Sequence, residues 1–279
     1  MFFSVFICVH LWLIVLALLM KVLRSFLAAV QLLTRIPVPS RMDKPAAVPS
    51  LLPEAAVFFP LVGGLIGLFT GAVIWAASYL WPMPLAVLIG LAAEAVLTGA
   101  FHEDAVADCC DGFGGGWSRE DVLRILKDSR IGSFGMLGLA LALLLRAGCL
   151  AAVDRAELLP VAAASSALGR WAGLLMMALV APLVDREGLA RHVASRINLR
   201  DLAAGTVLAA PAVVWYAWLE PIRLGCGLAT VVFGTGAWAW YVRGRLGGTT
   251  GDCLGFACYL GQVLVLLAAA AQPVSLAGH

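Results

Sequence analysis

The feature that most limits what this chain can fold into is the recurrence of apolar runs about as long as a bilayer is thick, for which a helix needs ~20 residues. Such runs occupy residues 2–20, 56–80, 84–101, 134–153, 157–181, 202–219, 222–242 and 254–271, the last of them short for a span. A further apolar stretch at 22–36 is cut by Arg24, Arg35 and the sequence IPVP, and reads as interfacial or re-entrant. Charged residues make up 13% of the 279 and mean hydropathy is +0.96, whereas soluble chains run at about 25% charged. The expected fold is therefore an all-α polytopic integral membrane helical bundle in the lipid bilayer, with about seven to eight transmembrane helices plus short interfacial helices.

Orientation follows from the basic residues. Even numbers of spans separate the segments 21–55, 102–133, 182–201 and 243–253, so all four fall on one side. Together they hold Lys21, Arg24, Arg35, Arg41, Lys44, Arg119, Arg124, Lys127, Arg130, Arg186, Arg191, Arg196, Arg200, Arg243 and Arg245, fifteen of the 19 basic residues. The positive-inside bias puts that side in the cytoplasm. No Lys or Arg precedes the first apolar segment, so it lacks the charged start of a signal peptide, and Met20 followed by Lys21 offers a second starting point. Net charge is only +2, which implies no polybasic surface for nucleic acid. The seven cysteines show no CxxC or Cys/His zinc spacing and read as small apolar fillers in a reducing setting.

Against this background the stretch HEDAVADCCDG at 102–112 stands out. Asp104, Asp108 and Asp111 are spaced i, i+4, i+7, which puts them within about 60° of one another on a helix. Three carboxylates on one stripe repel unless a cation lies between them. Taken alone, a solvated acidic helix end explains the stripe equally well. Hard carboxylates without soft ligands suit Mg²⁺. His102 falls about 160° from the stripe on a continuous helix, so it is a secondary candidate for a base.

The glycines at 112–116 should end the acidic helix, and Ser118, with Asp121 three residues on, should cap an amphipathic helix through about Lys127. Val122, Leu123, Ile125 and Leu126 would face protein or membrane, and Arg124, Lys127, Asp128 and Arg130 solvent, where the basic residues could grip phosphates. The second polar island, RGRLGGTTGDCLG at 243–255, is not a Walker A loop, but exposed N–H groups in such a loop can cradle phosphate oxygens. Two arginines fall inside apolar runs. Arg146 has the position of a snorkelling residue; Arg170, midway along its run, needs a cavity or an acid such as Glu94. Carboxylates, basic clamps and a metal are the equipment of phosphoryl transfer.

The stretches LLTRIPVP (32–39), FFPLVGGLIG (58–67), TGAFHEDAVADCCDG (98–112), ILKDSRIGSFG (125–135) and LGGTTGDCLG (246–255) give the chain a close resemblance to the cobalamin synthase family, the adenosylcobinamide-GDP ribazoletransferases. The resemblance runs over nearly the whole chain from about residue 22 and departs from the family pattern at Ala105, usually Gly, and Gln262, commonly Glu. It implies an N-terminal apolar segment at 1–21 followed by one membrane-embedded catalytic domain at 22–279. It also implies corrinoid and ribazole substrates, nucleotide-loop assembly enzymes as partners, and a bacterial inner-membrane setting. In the implied reaction the hydroxyl of α-ribazole or its 5′-phosphate attacks adenosylcobinamide-GDP and GMP leaves. Mg²⁺ on Asp104, Asp108 and Asp111 would hold the diphosphate, with one carboxylate as base, and Asp252 would add a metal ligand or orient the hydroxyl. Arg35, Lys127, Asp128, Arg130, Arg170, Thr249 and Thr250 are the implied substrate-binding residues. CDP-alcohol phosphotransferases share the spaced acids, but their Ala-Arg element is missing here. A cation-coupled transporter is disfavoured because the acids crowd at a helix end without an internal repeat.

Overall fold

The computed structural model describes residues 2–38, 53–183 and 197–272, with only the backbone described at 2–11, 13 and 14. Arg41, Lys44, Arg186, Arg191 and Arg196, used above for orientation, lie outside the described residues. The first helix, α1, runs unbroken from Phe2 to Leu33. This corrects the separate interfacial or re-entrant segment expected at 22–36. No Gly or Pro interrupts the chain before Pro37, so nothing disrupts the hydrogen-bond ladder. Lys21, which looked like a boundary, instead reaches Glu54 at 2.7 Å. The end of α1 is tied down where the Arg35 N–H donates to the Leu97 carbonyl at 2.7 Å.

After α2 (Phe59–Ala77) and α3 (Met83–Thr98) the chain takes a turn that hydropathy could not show. Gly99 and Ala100 both adopt left-handed conformations, with φ of 70° and 56°. Only Gly does so without steric cost, and two such residues in succession cannot continue a right-handed helix. The next helix, α4 (Phe101–Gly115), therefore leaves α3 at 92°. The acidic segment is the helix that its spacing predicts, but it is packed against α6 (Ser133–Ala152) and α10 (Gly251–Ala270) rather than standing outside the bundle after a span at 84–101. Between them lies the short helix α5 (Arg119–Ile125), with Ser118 and Asp121 forming the expected reciprocal cap.

The centre of the bundle is α7 (Leu158–Leu179), buried over 83% of its span and packed against α2, α10, α8 (Leu199–Leu219) and α9 (Pro221–Leu246). Small residues allow this. A Cβ on Gly67 of α2 would lie 2.1 Å from the Ala162 carbonyl oxygen, so only glycine permits the crossing. Among the described residues, seven helices are long and apolar enough to cross a membrane, or eight if the bent α3–α4 pair counts as one span. The chain is a multi-pass helical membrane protein.

Both intramembrane arginines have partners inside this packing. Arg146 does not snorkel: it is 2% exposed and donates to Glu94 at 2.5 Å and Glu103 at 3.3 Å, while Thr70 donates to Glu94 at 2.6 Å. The acid offered to Arg170 is therefore held by Arg146. Arg170, equally buried, donates instead to Ser166 at 2.8 Å and to the amide oxygen of Gln262 at 2.7 Å. Low-dielectric surroundings make an unpaired charge expensive, so each guanidinium has drawn oxygen acceptors from neighbouring helices.

Candidate active site

The C-terminal ends of α4 and α9 and the N-terminal ends of α5, α6 and α10 meet at one end of the bundle. The chain just after α7 joins them, since Thr249 donates its N–H to the Ala181 carbonyl at 2.9 Å and accepts from Leu183 at 3.1 Å. Residues 111–133, 181–183 and 243–253 therefore share one end, as even span counts require, while the start of α4 lies deeper, where Glu103 accepts from Arg146.

Asp104, Asp108 and Asp111 lie on α4, and α10 contributes Asp252 from its first turn. Asp104, Asp252 and Asp111 all act on Asp108 as like charges. Asp108 is half-buried and Asp104 exposed, so the cluster is open to solute from one side. In such a field a cation or a proton at Asp108 relieves repulsion from every neighbour.

Asp111 has a second task. Its two oxygens accept the N–H groups of Gly132 at 2.6 Å and Gly135 at 2.8 Å, which caps the start of α6. A Cβ on Gly135 would sit 2.2 Å from the Asp111 carboxylate, so the glycines of SRIGSFG are what let the backbone approach. The metal stripe expected on Asp104, Asp108 and Asp111 thus has its third member committed to backbone donors. Among the described residues no three His, Cys, Asp or Glu donors converge on one point. The donor chemistry nonetheless fits Mg²⁺, which binds through one or two carboxylates with substrate phosphates and waters completing its shell rather than in an all-protein cage. Asp104, Asp108 and Asp252 are the carboxylates from which one or two would be drawn.

The other sequence candidates divide. His102 is not at the carboxylate face: it is 4% exposed inside α4, its ring against Phe101, and feels the charges of Arg170 and Arg146. Arg170 likewise stays with Ser166 and Gln262 rather than joining the aspartates. Thr249 and Thr250 are 1% and 4% exposed. The Thr249 N–H is bonded to Ala181, and the Thr250 hydroxyl accepts from the Cys253 N–H as the cap of α10, so neither presents the phosphate cradle expected of it. Lys127 and Arg130 are exposed beside the Gly132 turn, and Arg130 grips Asp128 with bonds of 3.0 and 2.7 Å. Those bonds hold the Asp128 carboxyl at about 2, so the pair stays ionised at any working pH. Arg35 is exposed over the Gly99 turn.

Sequence reasoning missed two residues. Arg245 at the end of α9 donates to the carbonyls of Gly116 at 2.8 Å and Trp117 at 3.3 Å. In return, Arg119 donates to the Leu246 carbonyl at 2.9 Å. The available signal was an arginine beside each glycine run, in GGGWSR and RGRLGG.

Fold and site together define a polytopic membrane protein with a carboxylate cluster and a basic rim at one end of its bundle. Residues 25–270 match the family described as cobalamin-5-phosphate synthase, and the chain belongs to that family. A protein of Ralstonia nicotianae named adenosylcobinamide-GDP ribazoletransferase is 39% identical over 257 residues, covering 90% of this chain and 96% of its own length. Proteins of the same name from Shewanella frigidimarina (37%, covering 89% of this chain and 96% of its own length) and Klebsiella pneumoniae (33%, 88% and 99%) align comparably. No solved structure matches the chain.

Proposed function

We propose that this chain joins adenosylcobinamide-GDP to α-ribazole or its 5′-phosphate, with release of GMP; its relatives are named adenosylcobinamide-GDP ribazoletransferases. The observation that carries the reading is the grouping of Asp104 and Asp252 around Asp108, drawn from two helices remote in sequence. A diphosphate substrate brings negative charge to this place, so a divalent cation is needed between it and the carboxylates. Mg²⁺ held by Asp104 and Asp252 would supply charge neutralisation of the diphosphate oxygens and of the departing GMP. Asp108, repelled by most neighbours, gains most from neutralisation and takes the proton of the attacking ribazole hydroxyl. Lys127 and Arg124 stand exposed at the rim, where they would meet the nucleotide's phosphates. We place this end of the bundle on the cytoplasmic side of the bacterial inner membrane, on the basic-residue bias.

The test supplies the purified protein in lipid nanodiscs with adenosylcobinamide-GDP, α-ribazole and Mg²⁺. Stoichiometric GMP and cobalamin are expected. A folded protein that forms neither product, or that turns over a CDP-alcohol instead, overturns the reading.

A further inference from the structure

The two carboxylate-bearing helices come together at two levels. Lower down, α4 and α10 touch where Ala105 faces Gly255, so closely that a Cβ on Gly255 would lie 2.6 Å from the Ala105 methyl. Above the acids, the chain on both sides is glycine: Gly114, Gly115 and Gly116 end α4, and Gly247 and Gly248 lead into α10. Phe113 of α4 packs its ring on Trp238 and Tyr241 of α9, but the glycines beyond it bring no side chains to interlock, so the register of that last stretch is left to polar contacts. Arg119 and Arg245 cross between the two segments in opposite directions. Arg245 covers the carbonyls of Gly116 and Trp117 just past the end of α4, and Arg119 covers the last carbonyl of α9. Each guanidinium thus lies at the negative end of the other segment's helix, where a cation is favoured. The bridges span 127 to 129 residues of sequence. Asp108 and Asp252 are bracketed between this clasp above and the Ala105–Gly255 contact below.

We infer that Arg119 and Arg245 are positioning residues whose reciprocal bonds set the spacing of Asp252 from Asp104 and Asp108. The inference rests on the proposed transferase reading. Neither arginine needs to touch substrate. A shift of about 1 Å in a reacting group costs on the order of 100-fold in rate, so loosening the clasp slows turnover without preventing substrate from binding.

The experiment measures kcat and KM, at saturating Mg²⁺, for wild type, Arg245→Gln, Arg245→Lys, Arg119→Gln, Asp252→Asn and the Arg245→Gln/Asp252→Asn double variant, all in nanodiscs. Gln retains much of the reach but loses the charge and the fork. Both Gln variants should lose ~10- to 100-fold in kcat with KM within about twofold, and Lys should recover part of the loss at position 245. In the double variant the losses should not multiply, because Arg245 acts through the placement of Asp252. Multiplicative losses, or Gln variants with wild-type kcat, overturn the inference. So does a change confined to KM. Should a Gln variant unfold, Arg245→Lys carries the same comparison. Failure of the transferase reading shows in wild type, which then forms no product; failure of the clasp shows only in the variants.

Discussion

Asp108 and Asp111, one turn apart on the same helix, separate chemistry from architecture. Asp108 is surrounded by like charges, so Asp108→Asn removes repulsion while removing the reactive carboxylate. Turnover should fall by orders of magnitude while thermal unfolding, followed in nanodiscs, holds level or rises. Asp111→Asn should do the reverse to stability. An amide must turn its NH₂ toward one of two backbone donors that now bond a carboxylate at 2.6 and 2.8 Å. Hydrogen bonds to a charged group contribute about 1.5–3 kcal/mol each, so a loss of about that size is expected in denaturant titration. Equal destabilisation in the two variants would refute this division. The spacing of the acids was legible in sequence, because 3.6-residue periodicity is local. The diversion of Asp111 to α6 was not, because its partners lie 21 and 24 residues away.

At the scale of elements, the bend before α4 and the buried Arg146–Glu94 pair aim the acidic helix. Gly99→Ala puts a side chain at φ 70° and against the Arg35 guanidinium. It should cost ~1–2 kcal/mol for the left-handed backbone alone, read as a lowered unfolding midpoint and a parallel drop in activity as α4 shifts. Glu94→Gln leaves the Arg146 charge without its strongest acceptor in a dry interior. Breaking a buried pair from one side costs about 3–5 kcal/mol, and the double variant Glu94→Gln/Arg146→Met should recover much of that in the same assay. No recovery would mean that the pair is not the unit of stability. Hydropathy found α2, α6, α7, α8, α9 and α10 because length and apolarity suffice for a span. It joined part of α4 to α3 and divided α1, because a sliding window registers neither a left-handed turn nor the continuity of a helix through single charges.

For the molecule as a whole, topology and metal dependence are the decisive measurements. In a cysteine-free background, Lys127→Cys should resist a membrane-impermeant thiol reagent in intact cells, and Asp154→Cys, at the other end of the bundle, should react. Labelling of Lys127→Cys from outside would reverse the orientation. Removal of divalent cations with EDTA should abolish turnover and Mg²⁺ should restore it; full activity in EDTA would remove the metal from the mechanism. Composition and periodicity alone determined the membrane class, the number of crossings to within one, the side that each polar segment shares, and the acidic helix face. These follow from interactions that are local or that depend only on transfer into lipid. Tertiary structure alone decided that Asp111 and Thr250 cap helices, that Arg146 rather than Arg170 takes Glu94, and that Arg119 and Arg245 clasp the two glycine runs. Each is a partnership between polar groups far apart in the chain. Which partners meet is settled only when the packed helices leave a buried charge or an open carbonyl one place to go.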